Sequence, residues 1–308
     1  MQRLSHQAFR QARSFIFERG RALDQRLFEF HFESGSQEAV LREVASYQNA
    51  DGGFCRIEPD LMTDASSALA ATVAFQVLRE VGAFSESPIT QKGIRYFLDT
   101  YDRERMTWPI IPPQADAAPH APWWNYPKTE KVFAGFLLNP RAEILGYLWE
   151  YPESVPSDML EALASALSEH LDTLPQKMDM NDMLCTIRLA DTPNLPEETR
   201  RKVVAKLTEA VPHTVDMDPS DWSSHCLKPL WVAPTPRSPF SDVLADALDR
   251  NLDYEIENQD PRGCWMPSWS WYGQFPEAWE EASVEWQSHL TLGALKSLHA
   301  YDRIEGLR

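Results

Sequence analysis

Two kinds of helical segment alternate along this chain, and that alternation limits what it can fold into. Segments with charge on one face are expected at about 5–18, 37–48, 88–101, 156–173, 196–211 and 239–257. In PEETRRKVVAKLTEAV, for instance, Val203, Val204, Leu207 and Val211 make one apolar stripe and the charges take the rest, the pattern of a helix with one wet face. Between them fall segments at about 22–34, 64–82, 140–150, 180–190, 221–232 and 283–300, several apolar nearly all round, as in ASSALAATVAFQVL. Such a segment needs burial on both sides. Alternating β-branched runs bounded by tight turns do not recur, so the expected class is all-α. Six exposed and six buried helices in turn predict an (α/α)6 toroid, outer helices around inner ones, as a single domain over 1–308.

The connections sharpen this expectation. Those after charged helices are long in several cases, at 49–63, 102–139 and 258–282, and would gather on one face of a ring, beside the N-termini of the inner helices. Long loops on a rigid scaffold are where binding sites usually sit. Two of them share a design: QNADGGF (48–54) and QDPRGCW (259–265) both run from glutamine through a polar turn and glycine to an aromatic residue. RERMTWP takes a comparable place in the third. Repeats of this kind suit helix pairs that cannot bury a face alone.

Composition removes several functions. The 308 residues include 29 Lys and Arg against 46 Asp and Glu, a net charge of −17, which opposes broad electrostatic binding to nucleic acid or an anionic membrane. No apolar run approaches the length of a membrane span. Cys55, Cys185, Cys226 and Cys264 form no CxxC pair, so neither a zinc knuckle nor a dense disulfide framework is expected. The start MQRLSHQAFRQARSF has no uninterrupted apolar stretch and does not read as a secretory signal. A cytoplasmic protein with reduced thiols is expected, with no cofactor and no metal; its oligomeric state is not encoded legibly.

QNADGGF and NQDPRGCW resemble the Gln-Trp repeats of the terpenoid cyclase and protein prenyltransferase α/α-toroid superfamily. DGGFCRIEPDL, HAPWWN and NPRAEILGYL look like a bacterial prenyltransferase-like branch of it. The resemblance implies a central cavity lined by aromatic residues, an isoprenoid or other small apolar ligand, and a carboxylic acid as proton donor. The cyclase Asp-x-Asp-Asp motif has its nearest match in Asp179-Met180-Asn181-Asp182, where Asn181 replaces the family's acid, so any such role would move to Asp182. The prenyltransferase zinc set has partial counterparts in Asp260, Cys264 and His289, with a broken Asp–Cys spacing; His225-Cys226 is a competing pair.

The residues themselves nominate further candidates. RIEPDLMTD places Glu58, Asp60 and Asp64 close together, and neighbouring carboxylates raise one another's proton affinity. Aromatics concentrate in the long loops and just after: Trp108, Trp123, Trp124 and Tyr126 in one, Trp265, Trp269, Trp271, Tyr272 and Trp279 in another, then Trp286 and His289. Indole faces stabilise cations or stack on apolar and sugar surfaces. WPIIPPQADAAPHAPWWNYP is too rich in proline for helix and reads as a rigid lid. The expected site sets Asp60 and Asp64 against a wall of Trp265, Trp269 and Trp271. Three functions fit: an isoprenoid cyclase or isomerase, a carbohydrate-active (α/α)6 hydrolase or lyase, and a non-catalytic toroid that binds a lipid or partner.

Overall fold

The computed structural model describes residues 2–83 and 85–307. In chain order the helices are α1 (His6–Arg19), α2 (Ala22–Phe32), α3 (Gln37–Ala45), α4 (Ala68–Glu80), α5 (Pro88–Asp99), α6 (Tyr126–Val132), α7 (Arg141–Glu150), α8 (Ser157–Leu171), α9 (Met180–Ala190), α10 (Glu197–Thr214), α11 (Pro229–Val232), α12 (Ala245–Glu257) and α13 (Pro276–Ala300). Among the described residues there is no β-strand, only isolated bridges such as Gln48 with Phe54. The fold is all-α, with helix packed on helix. No helix of the described residues is long and apolar enough to cross a membrane.

The chain divides into two compact units. The first joins the stretch through Glu43 to the stretch from Val215 onward; there α13 packs on α1 and α2, and α11 on α12. The second runs from Val44 to Thr214 and is organised around α7, which packs on α4, α5, α8 and α9. Every residue of α7 from Arg141 to Leu148 is buried, as an all-round apolar segment requires.

Several segments differ from their sequence reading for local reasons. The segment at 64–82 becomes helical only at Ala68, because the Ser67 hydroxyl accepts from the Ala70 N–H and caps the start there. The helix expected at 221–232 shrinks to the short α11, since Pro229 bars helical backbone at Lys228. Hydroxyls of Ser238 and Ser241 fold the chain into turns, and α12 starts at Ala245. The 102–139 connection is not without helix: it contains two 3-10 turns and α6.

The two repeat turns are built alike. Gln48 Nε2 donates to the Gly52 carbonyl (3.0 Å) and across to that of Ile89 (2.9 Å) in α5. Gln259 Nε2 donates to the Gly263 carbonyl (3.0 Å) and across to that of Ala8 (3.0 Å) in α1. Gly52 and Gly263 have φ of +88° and +96°, a region costly for residues with a Cβ. A Cβ at Gly52 would collide with the Lys92 carbonyl, and one at Gly263 with that of Gln11. The aromatic positions close each turn: Phe54 is buried against Phe75, and Trp265 Nε1 donates to the Glu255 carbonyl near the end of α12 (2.9 Å). Trp108 does the same for Phe97 near the end of α5 (2.6 Å).

This geometry sets a contrast between glycines. Gly263→Ala is expected to destabilise the protein by about 2–3 kcal/mol in urea denaturation, through both a forbidden φ and a backbone collision. Gly293 lies at an exposed position in the middle of α13, and a methyl group there would meet nothing. Gly293→Ala is therefore expected to stabilise by about 0.5–1 kcal/mol.

Candidate functional site

In the first unit, three of the nominated residues come together with a fourth. Trp269, from the 258–275 connection, meets Trp286 of α13 edge to face, with ring centroids 5.0 Å apart and planes at 81°. His289, one turn along α13, packs against Trp286 (5.6 Å, 79°), and His225 packs against Trp269 (5.5 Å, 77°). Both indoles are half-buried and both histidines exposed. The row therefore offers aromatic surface to solvent at a helix–loop junction. The Trp269 Nε1–H is buried and has no acceptor, an uncommon state for an indole nitrogen. Partial burial of the ring pushes the His225 imidazole pKa below its ordinary value, which favours its neutral form. Close in sequence, Lys228 pairs with Glu255 (3.6 Å) and lies over the Tyr254 ring (5.0 Å).

Other nominated aromatics are committed to packing. Trp265 is held by its indole bond and by its own N–H on Thr291 Oγ1 (3.0 Å). Trp271 is fully buried against Trp279 (5.8 Å). The zinc-like set does not converge. Arg262 donates to both Asp260 carboxylate oxygens (2.8 and 3.2 Å), the buried Cys264 thiol donates to Gln287 Oε1 (3.6 Å), and His289 faces outward. Among the described residues no three His, Cys, Asp or Glu side chains form a metal-ligand group.

In the second unit, the 102–139 connection is stitched to the segment after the first repeat. Ala121 N donates to the Asp60 carbonyl (2.9 Å), Met62 N to that of Pro119 (3.0 Å), and Leu61 bridges His120. Leu61 packs with Ile110, Ile111 and Ala115, and Trp124 lies against that cluster, whereas Trp123 is exposed. Glu58, Asp60 and His120 are all buried in these two stitched segments. His120 was not singled out by sequence; its signal was a histidine inside a proline-locked apolar stretch. Asp64 is different: its side chain is 84% exposed and pairs with Arg56 (2.5 Å). Its carboxylate lies in solvent rather than in an enclosed site.

The richest polar network lies between α4, α7 and α9. Glu143 accepts from Gln76 Nε2 (2.8 Å), Tyr147 Oη (2.6 Å), Arg188 Nη1 (3.0 Å) and the Cys185 thiol (3.4 Å). Burial first, and then the Glu143 charge, hold Cys185 and Tyr147 protonated far above their ordinary pKa values. A buried carboxylate with four donors is a structural knot. Its signal in the sequence is a Glu set among the apolar residues of a helix buried along most of its length. At the N-terminal end of α9, Asp179 is the cap, accepting from the N–H groups of Asn181 (2.8 Å) and Asp182 (3.2 Å). Asp182 is buried and accepts from the Asn139 N–H (2.8 Å) and from Leu138. Burial raises its pKa above the ordinary 3.8, against the opposing pull of those N–H groups.

The sign of the Asp182 shift fixes a pH dependence. With the folded pKa above the unfolded one, ionisation costs stability, so the carboxyl's contribution worsens as pH rises from about 4 toward neutrality. Asp182→Asn does not titrate and is expected to gain stability relative to the parent between about pH 4 and pH 7. Asp182→Ala leaves two N–H groups without their acceptor and is expected to cost about 1–3 kcal/mol. Urea titrations followed by circular dichroism measure both. No family model, curated protein or solved structure matches this chain.

Proposed function

We propose that the first unit binds a small apolar ligand of the isoprenoid class, stacked on Trp269 and Trp286 between His225 and His289. One observation carries this reading: three residues nominated from sequence as ligand contacts gather into one accessible aromatic row whose buried indole N–H lacks an acceptor. Packing alone does not require half-exposed tryptophans, and a ligand oxygen would complete the Trp269 bond. An isoprenoid alcohol supplies both an apolar body and that oxygen. In the second unit, Asp182 is the proposed proton-holding group on the strength of its burial, and Glu58 and Asp60 are proposed as a second polar centre beside His120. Membership of the α/α-toroid superfamily and the (α/α)6 ring belong to the same proposal. They rest on the helix alternation and on the two matching glutamine turns.

Open stacking surfaces also suit sugars, and the half-exposed indoles favour a carbohydrate ligand as the second reading. Tryptophan fluorescence titration separates the two. Farnesol is expected to quench the parent saturably and to bind about tenfold more weakly to Trp286→Ala, about 1.4 kcal/mol. Quenching by maltohexaose or cellohexaose and not by farnesol would transfer the site to the second reading; quenching by none of them would sink both.

A further inference from the structure

The first unit carries a recess beside α13 whose lining is separate from the aromatic row. It is a groove of about 760 Å³ between α1, α13 and the 261–262 turn, well within the size of small-molecule sites. Its floor includes Phe15 and Val284. Its lining includes Ser283, Val284 and Gln287 of α13 but none of His225, Trp269, Trp286 and His289; Trp286 borders Ser283 on the helix surface, and His289 lies round the far side. The groove shares no residue with the site proposed above.

Its charges have an unusual arrangement. Arg10 and Arg19 bring two guanidinium groups, and Glu18 and Glu280 bring two carboxylates. All four are exposed, and among the described residues none of them has an ion-pair partner. Opposite charges thus line one recess without neutralising each other. The third arginine, Arg262, is already engaged by both oxygens of Asp260. A further feature points inward from the floor. Gln287 is only 5% exposed and lines the groove; its oxygen takes the Cys264 thiol, which leaves its amide N–H groups free for an acceptor.

A purely anionic ligand would meet Glu18 and Glu280, and a purely cationic one would meet Arg10 and Arg19. A ligand with both charges satisfies all of them, with its carboxylate on guanidinium and amide donors and its ammonium on the carboxylates. We propose that this groove is a binding site for a zwitterionic ligand of amino-acid or short-peptide size, its carboxylate taken by a guanidinium group and the Gln287 amide and its ammonium by the glutamate carboxylates that line the same recess.

Thermal unfolding of the full chain tests this, with triglycine and L-glutamine as probes and sodium acetate and methylammonium chloride as single-charge controls. The expected result is a saturable rise in the parent's midpoint with a zwitterionic probe and none with either control. Arg10→Ala and Glu280→Ala are surface changes that leave the unliganded midpoint in place, and each is expected to weaken binding about tenfold. Gln287→Leu is expected to weaken it too, with its unliganded midpoint measured to separate any loss of packing. Equal shifts in parent and surface variants would mark a solvent effect and overturn the site. So would equal stabilisation by acetate alone, or no shift with either zwitterion.

Discussion

The side-chain amide of Gln48, repeated at Gln259, is the interaction on which the helix arrangement turns. Each glutamine bonds at once to a carbonyl in its own turn and to one in a helix distant in sequence. A single planar amide so fixes the turn's shape and the place where it docks. The glycine four residues on makes the docking close, because any side chain there would strike the helix backbone. The aromatic residue after it then covers the joint and, in Trp265, satisfies a carbonyl near the end of the preceding helix. Everything that follows these turns in the chain, including the acids after Phe54 and the tryptophans after Trp265, is positioned by that joint.

The same logic separates packing aromatics from accessible ones. Trp265 stands at the aromatic position of the repeat, so its burial follows from the repeat itself. Trp269 lies outside the repeat and is free to meet Trp286. Composition could not distinguish them, since both are tryptophans in one loop; the register of the turn does. The acids divide in a similar way. Asp64 reads like Asp60 in sequence, yet it falls before the Ser67 cap, where Arg56 and solvent take it, while Asp60 is enclosed by the stitched 102–139 segment.

Most helices were legible because their apolar spacing is long and regular, and α9 begins and ends where its pattern does. The failures occur where local chemistry outweighs spacing. Pro229 shortens the helix expected at 221–232, and the hydroxyls of Ser238 and Ser241 hold the first residues of the one expected at 239–257 in turns. Glu143 illustrates the reverse limit. Its presence in an apolar helix was visible, but its four partners come from residues 76, 147, 185 and 188, and no local pattern assembles such a set.

Charge placement explains why the aromatic row suits a ligand without net negative charge. Arg141 and Arg303 are almost wholly buried, and Arg79 is largely so. Arg141 bonds to the Met106 and Leu137 carbonyls, its pKa lowered by burial to about 10; Arg303 pairs with Asp253, and Arg79 with Glu150 and the Arg188 carbonyl. These cations join chain segments rather than face solvent. A chain with 17 more acidic than basic residues therefore keeps a strongly acidic surface, even though Asp24, Glu58, Asp60, Glu143 and Asp182 are themselves buried. Exposed charges act over roughly 8–10 Å at physiological ionic strength. An anion approaching a half-open row of neutral rings meets that field with little to offset it, whereas an uncharged apolar body gains the full benefit of leaving water.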